Sequence, residues 1–194
     1  MSTIRDLAQL GKHVAARHGW AAARAFKSYE MSEADGAVLS RCAVDLLKLF
    51  PPGADASASL SAALAVSLER RSEMPVQVVA GTLAVEGTPV FGNRMPFDGK
   101  AVFAAPGADW NGHVWAMIGP YVVDISLFRA AYSRQGPALL SRHVDLTFGP
   151  GKALYVDLWR RTARRGLSYE PHYVLGPDEV TRLMGEAYHA IQQG

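Results

Sequence analysis

The chain has 194 residues, 49% of them apolar and 20% charged, with one cysteine and a formal net charge of +2. That length fits a single domain that buries its core without disulfides or a structural metal, and the composition excludes disordered and fibrous classes. Balanced charge argues against a nucleic-acid protein, the lack of an apolar run of about 18 residues argues against a membrane span, and the lone Cys42 excludes disulfide frameworks and multi-cysteine zinc sites.

The N-terminal stretch carries charges throughout and lacks the apolar segment of a signal peptide, so a cytoplasmic protein is expected. Ile4, Leu7, Leu10 and Val14 recur at helical spacing, and with the alanines that follow they predict a helix over residues 3 to 30. Ser32-Glu33-Ala34-Asp35-Gly36 breaks it. Leu39, Cys42, Ala43, Leu46, Leu47 and Phe50 form the stripe of a second helix over 37 to 50, ended by Pro51-Pro52-Gly53. Cys42 lies inside that stripe, which reads as core packing rather than as a nucleophile. A third helix is expected over 56 to 71 with Asp55 as its N-cap.

After Pro75 the texture changes. Residues 76 to 85 and 88 to 92 read as strands, and 93 to 110 as a loop. His113 to Ile118 and Tyr121 to Ile125 read as a hairpin around Gly119-Pro120. Residues 127 to 145 carry mixed signals, strands are expected at 153 to 156 and 167 to 175, and Pro177-Asp178-Glu179 opens a terminal helix. Arg160, Arg161, Arg164 and Arg165 read first as a solvated helix face, with a grip on a phosphate or acidic partner as the alternative. The histidines show no metal-ligand spacing, so neither metal nor cofactor is expected. Helices first and antiparallel strands afterwards make an α+β domain.

Nucleophilic acyl chemistry needs a nucleophile, a base within reach and a group that fixes the base's tautomer. The hairpin places His113 at the start of one strand and Asp124 near the end of its partner, so the two are expected to face each other. Asn111-Gly112 adds a bend and polar groups at the rim.

Asn111-Gly112-His113-Val114-Trp115 followed by Val122-Val123-Asp124-Ile125-Ser126 resembles the histidine and aspartate strands of the transglutaminase-like superfamily, related to the papain fold. The helix from Ala62 to Arg71, then Met74-Pro75 and the strand ending Ala80-Gly81, is similar to that family's nucleophile helix and the strand after it. The resemblance covers residues 55 to 128. It implies N-terminal helices (1 to 54) packed on an antiparallel sheet, a core over 55 to 128, and a C-terminal extension of the same domain over 129 to 194.

By that resemblance the family's cysteine falls at Ser57. The departure leaves three accounts open: an introduced Cys-to-Ser change, a natural serine nucleophile, or loss of catalysis. The resemblance implies a triad of Ser57, His113 and Asp124 that hydrolyses or transfers the acyl group of an amide or isopeptide bond, in a protein or peptide substrate. Asn111, with the Ser57 backbone N–H, is the candidate oxyanion donor, and Trp110 and Trp115 are candidate substrate contacts. Two other readings stand beside it: a catalytically inactive module that binds a protein or peptide, and a small-molecule acyltransferase.

Overall fold

A computed structural model describes residues 4–50, 57–93, 95, 97–104 and 110–193. Three helices lead: α1 (Leu7–Ser28), α2 (Glu33–Leu49) and α3 (Ser57–Glu69). The strands β1 (Val76–Val85) and β2 (Thr88–Phe91) follow, then a short helix α4 (Gly99–Val102), the hairpin β3 (His113–Ile118) and β4 (Tyr121–Asp124), and helices α5 (Leu127–Tyr132) and α6 (Ala138–Thr147). The chain closes with β5 (Tyr155–Leu158), one helical turn α7 (Trp159–Thr162), a 3-10 turn (Ala163–Arg165), β6 (Leu167–Val174) and α8 (Pro177–Gln193).

Two departures from expectation have local reasons. The first helix is broken at Gly19, whose φ of 85° and ψ of 166° are accessible almost only to glycine. The second begins at Glu33, because Ser32 and Asp35 cap it reciprocally, each side chain accepting the other's backbone N–H. The mixed stretch after residue 126 folds as α5 and α6. Pro51-Pro52-Gly53 and the Asp55 cap lie outside the described residues.

Among the described residues six strands form one antiparallel sheet. β1 is central, pairing with β3 from Val76↔Ile118 to Gly81↔His113, with β2 further along, and with β6 from Val79 to Val85. β3 pairs with β4 and β4 with β5. The sheet curls: the Trp159 indole N–H, just past β5, donates to the Tyr169 carbonyl of β6 at 2.9 Å, and the Tyr155 and Tyr169 rings stack at 6.0 Å.

The alternation of a strand puts successive side chains on opposite faces, and both faces here are covered. On one, Val78, Ala80, Val114, Ala116 and Ile118 pack with α2, α3 and α8. On the other, Val79, Leu83, Trp115, Met117 and Val122 pack with α1, α5 and α6. Cys42 is fully buried in the first of these cores, as its place in the helical stripe implies. Among the described residues no helix is long and apolar enough to cross a membrane.

Candidate functional site

The hairpin does join His113 to Asp124. His113 Nε2 lies 2.6 Å from Asp124 Oδ2, with the two side chains 1% and 0% exposed. The register runs Ala116↔Val123, Met117↔Val122 and Ile118↔Tyr121, which sets Asp124 opposite position 115. His113 therefore reaches the carboxylate along the diagonal of the ladder, two residues from its direct partner, a span that long side chains bridge.

Asp124 is saturated with donors. The Tyr169 hydroxyl donates to Oδ2 at 2.9 Å, and the Ser126 N–H, Ser126 hydroxyl and Leu127 N–H all donate to Oδ1 at 2.9 Å. The last three close the chain onto the start of α5, so the carboxylate also caps a helix. Burial pushes the Asp124 carboxyl up, but the His113 charge and the hydrogen bonds from His113 and Ser126 outweigh it, and the net displacement is below the ordinary carboxylate value. Burial, then the Asp124 charge, holds the Tyr169 phenol well above its ordinary value, so it remains a donor. The His113 ring stacks with Phe91 at 5.3 Å and with Trp115 at 6.1 Å between centroids.

Ser57 is not part of this group. It opens α3, which packs on the face carrying Val114 and Ala116; Ala58 packs into that core and the Ser61 hydroxyl donates to the Val114 carbonyl at 3.0 Å. His113 alternates with Val114 and stacks on Trp115, so its ring projects from the opposite face. α3 thus packs on the face of β3 opposite the one from which the His113 ring projects, and no hydrogen bond joins Ser57 to His113.

The remaining candidates are likewise divided. Trp110 packs on Phe97 at 4.7 Å and Phe103 at 5.6 Å, on the α3 side. Asn111 is exposed and its carbonyl accepts the Gly92 N–H, with nothing directing it at His113. Trp115 is wholly buried and serves as a stacking surface for His113 rather than a substrate contact.

Tyr169, Ser126 and Phe91 are essential parts of the arrangement that spacing does not reveal. Asp-x-Ser ahead of an apolar pattern is a local turn-and-cap signal and identifies Ser126; Tyr169 and Phe91 arrive by long-range strand pairing. Among the described residues no group of three or more His, Cys, Asp or Glu can hold a metal ion. No family model, curated protein or solved structure matches the chain.

Proposed function

We propose that this chain is a transglutaminase-like domain that works by non-covalent binding, with its His113–Asp124 pair kept as scaffold rather than as a catalytic dyad. One observation supports the reading: the pair is buried and saturated with internal donors, on the sheet face opposite the one that α3 covers. Adjacent antiparallel strands bearing histidine and aspartate, after a helix and its following strand, support the family assignment. A serine at position 57 supports the loss of thiol chemistry, since a hydroxyl has no stabilised thiolate and depends on a base within hydrogen-bond reach.

Substituting Ser57→Cys and measuring alkylation by iodoacetamide tests this, with the unsubstituted chain giving the background of buried Cys42. The expected result is a labelling rate unchanged by His113→Gln, a replacement that keeps an N–H donor for Asp124. A rate that falls when His113 is replaced, with the fold intact by near-ultraviolet dichroism, would restore the catalytic reading.

A further inference from the structure

The break at Gly19 turns α1 back on itself. In an unbroken helix Gly11 and Lys27 would stand about 24 Å apart, at about 1.5 Å per residue. Instead the Lys27 stem rests on Gly11, where an added Cβ would lie 2.8 Å from the Lys27 Cδ. Two helical arms therefore run side by side from a turn at Gly19-Trp20. Leu10 and Val14 of one arm and Ala23 and Phe26 of the other are buried, and Arg17 and His18 are tied to the Val174 and Leu175 carbonyls, so the turn is held on a fixed base.

The turn itself is open. Gly19, Trp20 and Ala21 are exposed, Trp20 to 69%, and nothing lies within 4 Å of a Cβ built on Gly19. α1 carries Lys12, Arg17, Arg24 and Lys27 and no acid. Arg24 and Lys27 follow Trp20 by four and seven residues, on the same exposed face, and Lys12 is exposed on the other arm. These three cations form no ion pair among the described residues. Of the acids at the start of α8, beside Arg17, Glu179 is taken by that guanidinium and Asp178 lines a cavity with Lys100 and Arg182.

Along the arms these side chains follow the layering of a bilayer interface. The indole stands at the turn, Arg24 about 6 Å behind it, and Lys12 and Lys27 about 10 Å behind it, at about 1.5 Å per residue. Indoles favour the boundary of acyl chains and headgroups, cations favour the anionic layer next to it, and that polar layer is about 5–8 Å deep. An exposed turn with open space around it offers no groove to enclose a peptide. We infer that the Gly19-Trp20 turn docks on an anionic lipid surface, with the Trp20 indole in the interface and Arg24, Lys27 and Lys12 against the headgroups. The contact is peripheral and goes beyond the reading of the His113–Asp124 pair, whose residues it does not use.

The test is co-sedimentation of the folded chain with sucrose-loaded phosphatidylcholine vesicles, with and without phosphatidylserine as a third of the lipid. Binding is expected with the anionic vesicles and not with the neutral ones. Arg24→Gln with Lys27→Gln should weaken it about twentyfold, at about fivefold per basic residue near such a surface. Trp20→Ala should weaken it about tenfold with every charge kept. Arg41→Gln with Lys48→Gln removes the same charge from the exposed face of α2 and should leave binding within about twofold. Every substituted residue is exposed, and near-ultraviolet dichroism checks the fold of each variant. No sedimentation of the parent with anionic vesicles, equal weakening by the two charge pairs, an unchanged Trp20→Ala, or equally tight, Trp20-dependent capture of polyglutamate would overturn the proposal.

Discussion

His113 and Tyr169 meet on one oxygen. Oδ2 of Asp124 takes the His113 ring nitrogen at 2.6 Å and the Tyr169 hydroxyl at 2.9 Å, joining β3, β4 and β6 at a point with almost no contact with solvent. Because the folded chain holds this carboxyl below its ordinary value of 3.8, the group contributes stability above that value and loses it as pH falls through the depressed folded value. Asp124→Asn should cost about 3 kcal/mol or more at neutral pH, since both carboxylate oxygens accept buried donors and the amide sets an NH2 group against one of those sets. The same variant should lose less further stability than the parent on acidification. Urea unfolding at a series of pH values checks both, and parallel pH profiles for parent and variant would refute the linkage.

Tyr169→Phe isolates one of the five donors. The ring stays, so no cavity opens, and a hydrogen bond to a buried charged acceptor is worth about 1.5–3 kcal/mol. The unfolding free energy should fall by that amount, read as a lower midpoint with the denaturant slope unchanged. A loss below about 0.5 kcal/mol, the scale of ordinary surface changes, would mean that Asp124 draws its stabilisation from His113 and the α5 cap alone.

The hairpin was legible because its signals are local: two short apolar runs, a Gly-Pro turn, and a histidine and an acid at corresponding distances from it. Which face those side chains take was not, because that depends on which helices cover which side of the sheet. His113 and Val114 are neighbours in sequence and belong to opposite cores, so placing Ser57 at a helix start says nothing of whether its hydroxyl meets the ring. Spacing also hid Tyr169, which reaches Asp124 from 45 residues away through the pairing of β6 with β1. The break at Gly19 was hidden for a different reason, since a glycine among alanines reads as a mild propensity cost until the backbone takes a conformation that only glycine adopts.

Gly81 marks the closest approach in the sheet. A Cβ there would lie 2.0 Å from the Glu170 carbonyl oxygen and 2.9 Å from the Trp115 ring, where β1, β3 and β6 run side by side and the β1–β6 register shifts. Gly81→Ala should destabilise by about 3 kcal/mol or more, the upper range of overpacking in a rigid interior. Gly36, inside α2 with open space around its Cβ position, is the converse case. Gly36→Ala should stabilise by about 0.5–1 kcal/mol through helix propensity and a less flexible unfolded chain. Thermal melts of the pair test this: a neutral Gly81→Ala would contradict the packing at the bulge.

Glu179 does for the helical layer what Asp124 does for the sheet. From the first turn of α8 its carboxylate accepts the Gly176 N–H at 2.6 Å and the Tyr173 hydroxyl at 2.7 Å, and it pairs with Arg17 of α1. Arg17 also donates to the Val174 carbonyl at 3.2 Å, and His18 contacts the Leu175 carbonyl at 2.8 Å. The first part of α1 is thus fastened to the end of β6 just before the Gly19 break. Replacing Glu179 with alanine removes a helix cap and leaves a partly buried guanidinium without its partner, so a cost of about 2–3 kcal/mol is expected. Glu179→Gln keeps an acceptor for the Gly176 N–H but loses the charge, and should recover less than half of that cost if the pairing with Arg17 dominates. Full recovery by Gln would assign the effect to the cap, and amide exchange would then remain slow in α1 while quickening at the start of α8.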